Sequence, residues 1–221
     1  MNIRAETKPR SKNKVKRRTA PKEVRRSQLI EATIDCIAER GITGTTMAAV
    51  TGRAGLSMGI VSLHFESKDN LLKATLTHLS QEVRSTWADK HSDETMTSAQ
   101  KLWAVAMSSF DPHIFNPKKV AVWFAFFGDA RYRAFYRQIV ESFDDERGDV
   151  LAALCESVAP EGQDFDAVGM TDMIESLGDG LWLNALLYPE TFTREYCMEQ
   201  MGALLIAEFP KHYGRPQGAD A

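Results

Sequence analysis

The chain has 221 residues, 43% of them apolar, and a formal net charge of -3, enough to build one large core or two small ones. No apolar run approaches the ~20 residues that span a bilayer, and the N-terminus is basic without the apolar stretch of a signal peptide; a cytoplasmic protein off the membrane is expected. Three cysteines, Cys36, Cys155 and Cys197, lie far apart with no C-x-x-C or H-E-x-x-H pairing, so neither a disulfide framework, a metal site nor a cofactor is expected.

Charge is unevenly placed. Residues 1–26 hold eleven Lys and Arg against two acids, and the remaining 195 hold sixteen against twenty-eight. A basic end on an acidic body points to a polyanionic partner. Residues 1–21 have no periodic apolar face and read as a disordered arm, either a contact to phosphates or the minor groove, or a solubilising tail. A first helix is expected over Lys22–Arg40, with Ile30, Ile34, Ile37 and Ala38 as its apolar stripe and Gly41 as its stop. Arg25 and Arg26 sit near its start, and Thr45 or Thr46 caps the next helix.

The stretch from Thr46 to Leu72 reads as two short helices and the start of a third. Met47, Val50 and Ala54 share a face, and Gly55 then breaks the pattern, where a tight turn calls for positive φ. Leu56 is an apolar plug, and Ser57 is a good N-cap. In the second helix Ile60, Val61 and Phe65 bury, which leaves Met58, Ser62, Leu63 and His64 facing outward. Two short helices joined by a glycine turn describe a helix-turn-helix, whose second helix enters the DNA major groove.

Ser67 is expected to cap a long helix reaching about Lys90, with Asp69 in its first turn and Lys68 placed to meet a phosphate. After a polar connection, Ser98–Phe110 reads as helical. Asp111-Pro112 and Asn116-Pro117 bracket a break. An aromatic helix, Val120–Phe127, follows, and then one over about Tyr132–Val158. The penultimate helix starts near Asp164 and ends at Pro189; Thr191 or Thr193 opens the last. The tail, 213–221, reads as flexible. No stretch shows a period-2 strand pattern, so the expected fold is all-α with about nine helices. The last two long helices carry more apolar surface than one chain needs, which suggests a homodimer through a four-helix interface.

The run Ala54-Gly55-Leu56-Ser57-x-Gly59, then Phe65-x-x-Lys68-x-x-Leu71, resembles the DNA-binding domain of TetR-family repressors over about residues 22–80. That family usually has Tyr at 62 and His or Tyr at 63; here Ser62 and Leu63 stand there, and Leu63 removes a phosphate-contacting ring. The resemblance implies a DNA-binding domain over 22–82 and a ligand-binding and dimerisation domain over 83–212. It implies a near-palindromic double-stranded operator met by Arg25, Arg26, Thr46, Ser57, Met58, Gly59, Ser62, Leu63, His64 and Lys68.

A repressor needs an input, and the aromatic residues Trp103, Phe110, Trp123, Phe126, Phe127 and Trp182 are candidates for holding one. A quaternary ammonium ion donates no hydrogen bond and is held by aromatic faces, at about 0.5–2 kcal/mol per contact. Asp179 is the favoured counter-charge, with Asp111 and Asp129 also considered. The same residues would serve as ordinary core. Trp123-x-Ala125-Phe126 and Gly178-Asp179-Gly180-Leu181-Trp182-Leu183, with Ser62, are similar to the BetI-type branch of the family. That likeness implies choline as inducer and control of glycine betaine synthesis and choline uptake genes. The alternative is another regulon and a different cationic or lipophilic effector. Gly55-Leu56-Ser57-Met58-Gly59 also matches G-x-S-x-G, with Asp179 and His212 as partners, but a nucleophile elbow needs a strand before the serine. No enzyme is therefore expected.

Overall fold

The computed structural model describes residues 21–160, 162 and 164–214. Among these the fold is all-α, with ten helices and one 3-10 turn: α1 Lys22–Gly44, α2 Met47–Ala54, α3 Met58–Phe65, α4 Lys68–Ser92, α5 Ser98–Met107, the 3-10 turn Ser108–Phe110, α6 Pro117–Gly128, α7 Arg133–Val158, α8 Ala167–Leu187, α9 Arg194–Glu208 and α10 Pro210–Tyr213. Residues 1–20 of the expected arm and 215–221 of the expected tail lie outside the described residues. Tyr213, assigned to that tail, is packed: its hydroxyl donates to the Ala99 carbonyl at 2.5 Å.

Local chemistry sets most boundaries. Gly41, at φ 68 and ψ 173, breaks α1 where expected, and one further turn carries the buried Ile42. Thr46 rather than Thr45 caps α2, its Oγ1 accepting from the Ala49 N–H at 3.1 Å; Thr45 is buried and donates to the Gly41 carbonyl. Ser67 caps α4 and Thr193 caps α9. Asp166, not Asp164, caps α8 through the Gly169 N–H at 2.8 Å. The aromatic helix α6 begins three residues before its expected start, because Asn116 caps it and Pro117 occupies its first position. Proline lacks an N–H that the first turn could not use anyway. The expected helix over 98–110 tightens into a 3-10 turn for its last three residues. The tenth helix, beyond the nine expected, is the single turn opened by Pro210.

Two hydrophobic clusters organise the chain. The head cluster joins α1, α2, α3 and the first half of α4, with Leu29, Ile34, Val50, Val61, Leu72 and Leu76 at its centre. The body cluster joins Trp87 near the end of α4 to α5, the second half of α7, α8 and α9. α6 belongs to the head cluster through Val122, Trp123 and Phe126, although it lies beyond residue 82 in sequence. Ion pairs and hydrogen bonds fasten it there. Lys118 reaches Asp35 of α1 at 2.7 Å, and Arg131, just past α6, donates to Thr43 Oγ1 at 2.7 Å.

Candidate functional site: recognition helix and aromatic cavity

The turn between α2 and α3 is built by Gly55. At φ 64 and ψ 29 it is left-handed. Its N–H bonds the Gly52 carbonyl, and the Leu56 N–H bonds that of Thr51 at 3.0 Å. This pair of bonds closes the end of a helix only where the residue past the cap tolerates positive φ. Leu56 packs back onto the head cluster, and α3 leaves at a new angle. Ser57 has the extended backbone of an N-cap, but its side chain makes no capping bond; the expected hydroxyl cap is absent, and that hydroxyl stands in solvent. α3 buries Val61 and Phe65. Leu63 is 76% exposed and Met58 49% exposed, with Gly59 and Ser62 also at the surface.

The charged residues of the head are less free than the sequence suggests. Lys68 donates to the Ile42 carbonyl at 2.7 Å. Desolvation by burial lowers its pKa, and the nearby Arg131 lowers it further. Arg26 lies over the Phe65 ring at 5.4 Å. Arg25 is half-buried, and its Nε, like Nδ1 of the half-buried His64, is enclosed without a partner among the described residues. Thr46 Oγ1 accepts the α2 capping bond and keeps its own proton free to donate.

The second feature is a partly open cavity of about 110 Å3 where α4, α6, α7 and α8 meet. Trp123, Phe124 and Phe127 enter it from α6, Tyr136 and Val140 from α7, and Trp182 from α8. The rings meet edge to face: Tyr136 lies 4.6 Å from Phe127 and 6.1 Å from Trp123 between centroids. Trp182 is oriented by its Nε1, which donates to the Ser109 carbonyl at 3.0 Å.

The same cavity is lined by Asp144 and Arg147 of α7 and by Glu175 and Asp179 of α8. Arg147 is buried and fully engaged, donating to Glu175 and to Ser109 Oγ at 2.9 Å. Burial and the facing charges of Glu175 and Asp179 push Asp144 up to about 7. Asp179 is raised for the same reasons, burial first and Glu175 second. Both aspartates are nevertheless exposed to solvent at the cavity mouth, so water screens much of that repulsion and softens both shifts. The arrangement suits a compact cation: aromatic rings and an excess of negative charge line the same space.

Of the residues expected to line such a site, Trp123, Phe127, Asp179 and Trp182 do. Trp103, Phe110 and Phe126 do not. Trp103 packs on Tyr213, 5.2 Å between centroids, and closely against Gly202 of α9, where a Cβ would meet its ring at 3.1 Å. Phe110 is fully buried against Phe115, and Phe126 is fully buried beside Phe135. Asp111 does not line the cavity, and Asp129 is held by Arg131, whose hydrogen bond lowers it to about 2. Phe124, Tyr136, Asp144, Arg147 and Glu175 were missed. Their signal was available: Tyr136, Val140, Asp144 and Arg147 recur at helical spacing on α7, as do Glu175, Gly178, Asp179 and Trp182 on α8.

A third surface is the outer side of α8 and α9. Val168, Met173, Leu183, Leu187, Tyr196 and Ile206 are all exposed there.

A helix-turn-helix head on an all-helical body with its own cavity defines a one-component DNA-binding regulator. The chain belongs to the TetR family of bacterial regulatory proteins: residues 29–75 match the family's N-terminal domain, and 98–210 match the C-terminal domain of BetI-type transcriptional repressors. It is 33% identical to the HTH-type transcriptional regulator BetI of Paraburkholderia phymatum over 174 residues, 77% of this chain and 86% of the relative. The BetI of Burkholderia thailandensis is 32% identical over 168 residues, 75% and 84% of the two chains. Among solved structures, a transcriptional regulator from Pseudomonas aeruginosa PAO1 superposes with a TM-score of 0.75 at 25% identity, covering 90% of this chain and 97% of that one. A regulator from Saccharomonospora viridis in complex with choline shares the fold, with a TM-score of 0.70 at 17% identity over 83% and 96% of the chains.

The protein is therefore a transcriptional repressor and not an enzyme. Ser57 follows helix α2 instead of a strand, so the G-x-S-x-G match lacks the strained turn that exposes a nucleophile. Asp179 lines the cavity between α6, α7 and α8, whereas Ser57 stands exposed at the start of α3. Among the described residues no helix is long and apolar enough to cross a membrane, and all three cysteines are buried and free.

Proposed function

We propose that this repressor senses choline and controls genes for glycine betaine synthesis and choline uptake. The observation that carries the reading is the cavity that Trp123, Phe127, Tyr136 and Trp182 line together with Asp144 and Asp179. A trimethylammonium group fits that chemistry, since ring faces attract it without hydrogen bonds and the carboxylates neutralise it. The BetI relatives and the choline-bound regulator of the same fold support it.

In this reading residues 22–82 form the DNA-binding unit and 83–212 the effector and dimerisation unit. Two chains pair through α8 and α9, and their α3 helices stand about one DNA turn, ~34 Å, apart on a near-palindromic operator. Thr46, Ser57 and Lys68 position the duplex, with Arg25 and Arg26 supplying charge near α1. Met58, Gly59, Ser62, Leu63 and His64 face the groove. The ligand acts through α6, which lines the cavity and is fastened to α1 by Lys118–Asp35 and Arg131–Thr43, as well as through α4. Choline must favour the DNA-incompetent state by the factor by which it weakens operator binding.

The test is tryptophan fluorescence titrated with choline and with its neutral isostere 3,3-dimethylbutanol. Saturable quenching by the cation alone is expected. Equal responses to both would mark a merely apolar cavity, and no response to either would contradict the reading. A different cationic effector is the second reading, favoured by three carboxylates facing one arginine; titration with a diamine distinguishes it.

A further inference from the structure

The reading helix lacks the side chains that most often read bases. Guanine is commonly bound by arginine or lysine, and adenine by asparagine or glutamine, through paired hydrogen bonds in the major groove. Between Thr46 and Phe65 there is no lysine, asparagine or glutamine, and a single arginine, Arg53. Arg53 is turned away from this task. Its guanidinium is held by Asp35 at 3.4 Å and by Glu39, both on α1. Lys68, just beyond, is tied to the Ile42 carbonyl.

What α3 presents instead is apolar. Leu63 is 76% exposed, among the most exposed of the large hydrophobic side chains, and Met58 is 49% exposed. The Met58 thioether lies 3.5 Å from Thr51 Oγ1, whose proton goes to the nearer Met47 and Ala48 carbonyls at 3.0 Å, so Met58 packs against that hydroxyl while standing at the surface. Between them on the helix lie Gly59 and Ser62. Gly59 has ordinary helical φ, and a Cβ there would meet nothing nearer than Ser57 Oγ at 3.9 Å. The fold does not require this glycine, and glycine weakens a helix. Its use lies outside the fold, where a missing side chain lets another surface come close.

The apolar group that the major groove displays is the C5 methyl of thymine. We infer that the protein reads its operator half-sites chiefly through thymine methyl groups seated on Leu63 and Met58, with Gly59 admitting the duplex to close approach. The inference rests on the reading of α3 as the groove-entering helix. Ser62 and His64 add hydrogen bonds at the edge of that contact without setting the sequence. Seating one methyl on an apolar side chain changes affinity by about three- to fivefold, so discrimination accumulates over several modest contacts.

The experiment uses the full-length protein. Duplexes are selected from a random pool, and the preferred duplex is resynthesised with deoxyuridine in place of each thymine in turn. Fluorescence anisotropy then gives relative affinity. One or two thymines in each half-site are expected to lose about three- to fivefold on becoming uracil. Leu63→Ala, a change at an exposed position that leaves the helical circular dichroism intact, is expected to bind the thymine duplex with that loss already present. The same variant should then be indifferent to uracil at the Leu63 contact. Replacing guanines by 7-deazaguanine is expected to matter less. Uracil duplexes bound as tightly as thymine duplexes at every position, or a larger loss from 7-deazaguanine, would overturn the inference while leaving α3 as the reader. A pool that yields no enriched sequence would contradict the operator-reading helix itself, and the inference with it.

Discussion

The head and the body use the same kinds of residue to opposite ends. In the head, apolar side chains that would ordinarily be hidden stand in solvent: Leu63 and Met58 are exposed while the charged Arg53 is pinned to α1. In the body, charged side chains that would ordinarily be solvated are gathered around a cavity: Asp144, Arg147, Glu175 and Asp179 line it together with aromatic rings. Each inversion is costly in a free protein. A partner of complementary chemistry removes each cost, a methyl-bearing groove for the first and a compact cation for the second. Function lies where the usual sorting of polar and apolar residues fails.

The comparison breaks most sharply within α6, where neighbouring phenylalanines fall on different sides of it. Phe126→Ala empties a fully buried position in the head cluster and is expected to cost about 3–5 kcal/mol of stability. Choline affinity of the folded fraction should not change, as read by denaturant melts beside the fluorescence titration. Phe124→Ala removes a half-buried ring that lines the cavity. It is expected to weaken choline by about 0.5–2 kcal/mol with a much smaller effect on the melt. Equal behaviour of the two variants would dissolve the distinction between core and cage.

A pH series sharpens the body half. Asp144 lies near 7 in the free protein, because of burial first and then Glu175 and Asp179. Its proton is therefore retained below that pH and lost above it. A cation binds the ionised form better, so choline affinity should rise about tenfold between pH 6 and pH 8 and flatten beyond. Stability moves the other way: between the ordinary carboxylate range and about 7 the folded chain holds a proton that the unfolded chain has lost, so folding weakens as pH rises. Asp144→Asn should shrink both trends to the part that the raised Asp179 contributes, followed by calorimetry of choline binding and by thermal melts. An affinity that is flat across this range would contradict the assignment of Asp144.

The smallest effect tests the head half. Gly59→Ala meets no steric obstacle within the fold and is expected to stabilise the protein by up to about 1 kcal/mol. Operator affinity should nevertheless fall, measured by anisotropy on duplex from the upstream promoter. Unchanged operator affinity would mean that α3 does not approach the duplex at this residue.

The head was far more legible in the sequence than the cavity, and the reason is the range of the interactions that build each. Thr46, Gly55 and Ser67 mark their helix boundaries through bonds spanning three to five residues. Their chemistry is readable one residue at a time. Whether Trp103 joins the cavity depends on Gly202, a distant residue whose missing side chain draws the indole toward α9. Phe126 and Phe127 are adjacent in sequence, and only the packing of α6 on α1 and α7 assigns one to the core and the other to the cavity. In sequence Asp144 and Glu175 read as ordinary solvated acids, although Asp144 interrupts an apolar face of α7 that Tyr136 and Val140 begin. Lys68 illustrates the converse: its position was readable, but its bond to Ile42 depends on a contact twenty-six residues away.

The central claim is that a cation held by the rings and carboxylates of the body releases the head from DNA. Anisotropy of a promoter duplex bound to full-length protein, titrated with choline at fixed ionic strength, tests it directly. Progressive release by choline, with 3,3-dimethylbutanol inert at the same concentrations, is the predicted result. Operator affinity unmoved by saturating choline would contradict it.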